Sequence, residues 1–436
     1  MLRCSTNQQT KLERLDKVNC AGVLTLLFAR IIYAIIWFNI ASIFSHIASD
    51  FKEDVSMLGL ITASFFVGIG IFQVPGGILA AKQGSKKTAT YGMTIASSAA
   101  LLCGLSSQLQ QIEVLRFVVG LGMAFFFGPS VTLITRYLGR RSEGLAVGLL
   151  NSAHSIGGII GLFGWVIIAE SIGWRQSLLV SGGLGLISSL LLIVLLSRKE
   201  EQEQQESGRG FEIKVSDVRR VLFDKSLFGF GLVLLGAQIA WGLTLTFVVF
   251  YLEDYLKINS SMAGLVGSLS LIFALVAAPV FGRIYDRIRN IQKLLFVCGL
   301  AMSISIAAIS SANTNTSSAL YIVVISTVLV GIFSAGVFTI AYASAKEAYR
   351  IRRRNEANVE KRRTITPLQP EYDTLAISWV NGLSLFGAFW VPIIFSFIVH
   401  HLGYPIAWLL GGIFSLLFIL PTLGIKSFKD KDKNAD

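Results

Sequence analysis

The chain has 436 residues, of which 53% are hydrophobic and only 15% charged, against about 25% charged in an ordinary soluble domain. A soluble protein this apolar could not cover its own surface, so an integral, all-α membrane protein is expected. The net charge of +12 raises the question of a nucleic-acid partner. The four cysteines (Cys4, Cys20, Cys103, Cys298) are scattered without ligand spacing, so neither a disulfide framework nor a metal or cofactor site is expected.

Residues 1–19 mix both charge signs, lack a small-residue cleavage site and read as a cytoplasmic tail. A membrane span needs roughly 20 predominantly apolar residues, and twelve such stretches follow. Six of them, at 20–47, 57–80, 88–107, 112–136, 144–169 and 174–196, form an N-terminal bundle over 20–196. A polar cytoplasmic linker, 197–226, leads to six more at 227–252, 261–281, 292–311, 318–344, 373–399 and 404–425, a C-terminal bundle over 227–425. Inside the second bundle the basic run 345–372 reads as a cytoplasmic loop insertion, and 426–436 as a second cytoplasmic tail.

With the N-terminus placed inside, 33 of the 38 Lys and Arg residues fall on cytoplasmic segments and only Lys52, Arg175 and Lys257 outside. This is the positive-inside pattern, and it puts both termini in the cytoplasm of a multi-pass cell-membrane protein. It also accounts for the basic balance without nucleic acid. The RIRRR and KRR clusters of 345–372 serve on this reading as orientation signals.

The halves repeat. LAVGLLNSAHSIG from Leu145 aligns with LAISWVNGLSLFG from Leu375 at an offset of 230, and SMLGL at Ser56 with SMAGL at Ser261 at 205. Two six-helix bundles related by a pseudo-two-fold axis are therefore expected, an organisation on which alternating-access transporters are built.

Between spans two and three stands GGILAAKQGSKK (Gly76–Lys87), and between eight and nine GRIYDRIRN (Gly282–Asn290). RFVVGLG (Arg116–Gly122) follows in span four and GWR (Gly173–Arg175) after span five. In this order on a 6+6 plan, these resemble the loop motif and helix-four signature of the major facilitator superfamily over about residues 18–425. The resemblance implies a cytoplasmic gate at Gly77, Lys82, Gly84, Lys86, Gly282, Asp286 and Arg287, with the basic residues after span four. Asp286 should then meet the start of span five near Ser142 to Leu145. The first loop departs from the pattern, with Ala81 at the acid position.

Arg30 sits in LLFARIIYAII, near the middle of a hydrophobic stretch of 27 residues and so roughly 18 Å from either of its ends at about 1.5 Å per residue, beyond the reach of a snorkelling side chain. A cation there costs about 2.5–3.5 kcal/mol or more. No Asp or Glu lies mid-span to offset it. Two readings stand: a contact for an anionic substrate, or a structural arginine bonded to backbone. Arg116, three residues after Glu113, is either a helix-packing residue or a second anion contact. His154, one turn after Asn151, is either a packing residue or a substrate or proton contact. Gln238 aligns with Tyr33, one turn past Arg30, and Asn381 with Asn151. Mid-span Arg, His, Asn or Gln fall only in spans one, two, four, five, seven and eleven, and cavity-lining helices tolerate such groups where lipid-facing ones do not.

Arg in helix one plus Arg in helix four resembles the anion:cation symporter branch, which implies organic anions as substrates. The branch's acids are replaced by Ala29 and Met123, leaving exchange, uniport or coupling through His154 open. The reading is a secondary transporter for a small anion, an organic acid, acting as a monomer in the lipid bilayer. Its site would comprise Arg30, Tyr33, Arg116, Asn151, His154, Gln238 and Asn381. The alternatives are a transporter of a neutral solute or drug with Arg30 structural, and a non-transporting sensor on the same fold. No paired carboxylates, nucleophile–base constellation or metal cluster points to an enzyme.

Overall fold

The computed structural model describes residues 20–52, 58–138, 142–196, 215–258, 260–288, 290–312, 318–359 and 370–425. Both expected tails, linker positions 197–214, positions 139–141 with the basic Arg140 and Arg141, and loop positions 360–369 lie outside the described residues. Every regular element among those described is helical. Lipid permits little else, because a helix satisfies its backbone polar groups within one segment.

The spanning helices are α1 (Cys20–Ser42), α2 (Leu58–Gln83), α3 (Ser85–Cys103), α4 (Leu109–Leu138), α5 (Glu143–Ile159) and α6 (Trp174–Leu195). The second half contributes α7 (Lys225–Phe250), α8 (Ser260–Arg287), α9 (Ile291–Ala308), α10 (Ala319–Val359), α11 (Pro370–Ala388) and α12 (Tyr404–Ile419). Eleven of these paths are long and apolar enough to cross a membrane. The exception is α3, whose hydroxyls lower its hydropathy but are absorbed inside the bundle. Thr88, Thr90 and Ser97 donate to the carbonyls four residues back, and Thr94 shares a 2.6 Å hydrogen bond with Ser189 of α6.

Two boundaries differ from the sequence reading. The run 345–372 does not begin as a loop: α10 continues to Val359. A polar composition ends a membrane span but not a helix, and AKEAYRIRRRNEANV has neither Gly nor Pro to stop one. The linker likewise carries a helix, Val215–Leu222, and α7 starts at Lys225 behind an Asp224 cap. Asp224 Oδ1 accepts from the amides of Ser226 and Leu227, while Oδ2 accepts from Arg352 at 2.8 Å. The α10 extension is thereby tied to the foot of α7.

α3, α6, α9 and α12 carry outward apolar surface, such as Ile187, Leu190 and Ile193 on α6 and Leu409, Ile413 and Leu417 on α12. That surface suits lipid and no aqueous phase. The two halves meet chiefly where α5 packs on α8 and α2 on α11. We call the face where α1 begins the lower face. The repeat is visible in the turns on the upper face: Gly173 and Gly403, 230 residues apart, have φ of 88° and 83°. An L-side chain would be strained at either.

Four helices change course in their upper parts. α5 passes through a wider turn, Ile160–Gly164, before Trp165–Ile172, and α7 ends in another at Tyr251–Tyr255. α11 breaks at Phe389 and Trp390 before Val391–Leu402, and α1 at Ile43 before Phe44–Phe51.

Candidate functional site

Those four helices, joined by α4, α8 and α10, surround a central cavity of about 650 Å³ between the halves, part of it open to solvent. Arg30, Tyr33 and Trp37 reach it from α1, Phe127 from α4, and Asn151, His154 and Ser155 from α5. The other half supplies Gln238 and Trp241 from α7, Ser334, Phe338 and Tyr342 from α10, and Asn381 and Leu385 from α11. Positions 30, 33 and 37 share one face because three- and four-residue steps nearly complete helical turns.

Arg30 is 5% exposed, and its Nε and Nη1 have no hydrogen-bond partner. Its guanidinium lies 4.3 Å from the Tyr33 ring centroid and 4.7 Å from that of Phe127. Cation–π contacts contribute about 0.5–2 kcal/mol each, less than the several kcal/mol that desolvating the charge costs. No Asp or Glu lines the cavity. The site is a wall with one permanent cation and spare donors.

Aromatic side chains complete that wall as a closed girdle. Ring centroids run from Tyr33 to Trp37 (5.9 Å), to His154 (5.7 Å), to Trp241 (6.3 Å), to Phe338 (6.1 Å), to Tyr342 (6.4 Å) and to Phe127 (5.0 Å). Arg30 bridges Phe127 back to Tyr33. The girdle takes residues from both halves. Several polar groups around it are already engaged: Asn151 Nδ2 donates to Thr339 at 3.1 Å, Tyr342 Oη to Asn381 Oδ1 at 2.5 Å, and Ser334 to the Gly331 carbonyl. His154 Nδ1 is buried without a partner.

Six of the seven candidate binding residues thus surround one cavity, and Arg116 does not. It is 4% exposed, donates from Nη1 and Nη2 to the carbonyls of Ile36 and Trp37 at 3.0 and 3.2 Å, and stacks on Phe65 at 4.6 Å. Its fork braces α1 against α4 instead of pairing with Glu113. Reading sequence alone missed Trp37, Trp241, Phe338 and Tyr342. Trp37 and Trp241 lie one turn beyond the candidates Tyr33 and Gln238, so helical spacing could have found them, whereas Phe338 and Tyr342 stand on a helix that holds no candidate.

Below the cavity the halves are pinned together. Asp286 Oδ1 and Oδ2 accept from the amides of Gly144 and Leu145 at 3.0 and 3.3 Å, capping α5 from the other half. Such a carboxylate meets both unpaired amides and the positive helix end. A side chain at Gly144 would place its Cβ 2.3 Å from the Gly282 carbonyl oxygen, so the helices touch backbone to backbone there. A Cβ on Gly77 would likewise come within 2.9 Å of Ser378 and 3.1 Å of Leu375 on α11. Thr374 bonds Thr132 at 2.7 Å and Ser85 at 3.4 Å.

A knot of four charges completes this seam. Arg350 donates to Glu143 and, through Nε and Nη2, to Asp373; Lys346 Nζ lies 3.4 Å from Glu143. Lys346 is only 2% exposed. Lys346 and Arg350 lie in the basic run, whose RIRRR cluster reads in sequence as an orientation signal, and Glu143 and Asp373 lie at span edges. Lys82 and Arg287, by contrast, are exposed and outside the seam. Lys86 donates to Leu196 within its own half, and Gly84 (φ 97°) makes the α2–α3 turn. Of the seven positions expected at the gate, Gly77, Gly282 and Asp286 thus lie at this seam, and Lys82, Gly84, Lys86 and Arg287 do not.

Residues 26–358 match the family model described as Major Facilitator Superfamily. The chain belongs to that superfamily. Its fold is similar to that of the solved superfamily structure of the proton:xylose symporter XylE, with TM-score 0.71 at 15% identity over 95% of this chain and 98% of that one. A segment of 131 residues is 30% identical to a probable sulfoacetate transporter, SauU, of Cupriavidus necator, covering 30% of each chain. Another of 153 residues is 29% identical to a probable galactarate/D-glucarate transporter, GudP, of Escherichia coli, covering 33% of this chain and 34% of that one. The match thus spans about a third of the length of these superfamily relatives.

Proposed function

We propose that the protein is a secondary transporter that carries a small organic anion across a cell membrane by alternating access, as a monomer with both termini in the cytoplasm. The observation that carries this reading is Arg30: a permanent cation at the cavity wall, with two unpartnered donors and no resident acid. Relatives named for sulfoacetate and for galactarate/D-glucarate support it. Arg30 supplies the charge contact; His154 and Gln238 offer hydrogen-bonding groups, and Tyr33, Asn151 and Asn381 shape the site around them. The two bundles rock about this site, the lower seam opening and closing access.

Thermal unfolding of the purified protein against anionic, neutral and cationic metabolites tests it. A ligand at 100 times its Kd stabilises by about 2.7 kcal/mol. Carboxylates should stabilise the wild type and leave Arg30→Gln unmoved. Equal stabilisation of both proteins by neutral or cationic ligands would make Arg30 structural and end the anion reading.

A further inference from the structure

We infer that the substrate is a flat aromatic ring bearing a single carboxylate, gripped by Arg30 at its charged end and by the girdle around its faces and edges. This rests on the anion reading above and narrows it. The girdle is closed by Arg30 between Phe127 and Tyr33, and each of its six ring pairs has centroids between 5.0 and 6.4 Å apart. Those spacings fall in the range in which rings attract one another edge to face or offset. A planar ring entering such an enclosure finds complementary faces and edges, whereas a puckered aliphatic ring finds only area.

Two other anion classes fit poorly. A polyhydroxylated acid needs a bonding partner for each hydroxyl it buries, but Asn151, Asn381 and Ser334 already spend bonds on Thr339, Tyr342 and Gly331. A dianion would bring a second charge into a cavity whose lining holds one permanent cation, and a buried charge without a partner is strongly unfavourable. A monoanion leaves neither deficit.

The discriminating panel is benzoate, cyclohexanecarboxylate, gluconate, terephthalate and benzyl alcohol, with dissociation constants measured by ligand-induced thermal shift. The proteins are the wild type, Arg30→Gln, Trp241→Leu, Trp241→Phe and Phe338→Leu. Benzoate should bind the wild type about tenfold or more tighter than cyclohexanecarboxylate, the scale of one to two ring–ring contacts. Trp241→Leu and Phe338→Leu should each shrink that ratio, while Trp241→Phe keeps most of it. Gluconate and terephthalate should bind weakest among the acids.

If cyclohexanecarboxylate or gluconate matches benzoate, selection for the aromatic ring is wrong and the anion reading survives. If benzyl alcohol matches benzoate in both the wild type and Arg30→Gln, the anion reading fails and this inference with it. Failure of all five compounds to bind at millimolar concentration rejects the aromatic monocarboxylate outright.

Discussion

Arg30 and Arg116 bring permanent cations into neighbouring helices and are buried alike, at 5% and 4% exposed, yet their fork-shaped donors meet different fates. Arg116 spends both terminal nitrogens on the carbonyls of Ile36 and Trp37. Bonds from a charged donor contribute about 1.5–3 kcal/mol, so Arg116→Leu should lower the unfolding temperature without altering which ligands stabilise the protein. Arg30 hydrogen-bonds Tyr33 and lies against two ring faces, but no carboxylate or carbonyl among the described residues meets its Nε and Nη1. Removing a buried charge without a counter-ion relieves a desolvation cost, so Arg30→Gln should unfold at an equal or higher temperature than the wild type when no ligand is present. A clear loss of stability would show that the ring contacts outweigh that cost. Sequence reading located Arg30 because cations mid-span are rare. It could not separate the two arginines, since the carbonyls that engage Arg116 belong to another helix and leave no mark in its own.

At the scale of helices, one side chain of the second half serves as the cap of α5. Asp286→Ala removes two amide contacts at a positive helix end, a loss of about 0.5–2 kcal/mol, and that loss falls on the closed lower seam. Single cysteines placed at the foot of α5 should therefore be labelled faster from the lower side in Asp286→Ala than in its parent. Gly144→Leu should act in the same direction and more strongly, because its Cβ would meet the Gly282 carbonyl. Unchanged labelling in both would exclude this contact as a clasp. The helix limits themselves were largely legible from apolar length. α10 was not, because hydropathy reports where a helix leaves lipid, while its termination depends on Gly, Pro and caps that the RIRRR segment lacks. For the same reason Lys346 and Arg350 read as loop charges, though the helix carries them back over the seam to Glu143 and Asp373.

For the molecule as a whole, rocking requires the lower contacts between α4 and α11 to part. Thr132 and Thr374 lie across that divide with their hydroxyls 2.7 Å apart, and both are buried. Such proximity suits a disulfide, whose Cβ atoms sit about 3.5–4.5 Å apart. Thr132→Cys with Thr374→Cys, oxidised in proteoliposomes, should abolish uptake of a stabilising anion, and a reductant should restore it. Full uptake with the bond intact would mean that this seam does not open during transport. The overall plan was readable in advance from two offsets, 205 and 230. Of the seam, the meeting of Asp286 with the start of α5 was expected from the family resemblance, whereas the α4–α11 contact was not, because it depends on which small residues of one half face those of the other.

The knot of Glu143, Lys346, Arg350 and Asp373 also bears on how this sequence can change over generations. Two cations balance two anions, and neutralising one alone leaves a buried charge unmatched, a defect of about 3–5 kcal/mol where a buried pair is broken. Single steps away from the knot are thus selected against, while paired replacements leave the charges balanced. Descendants of this chain should alter Glu143 and its α10 partners together or keep them all. A chimera joining α5 from one lineage to α10 from another would fail at this junction even though each half is sound.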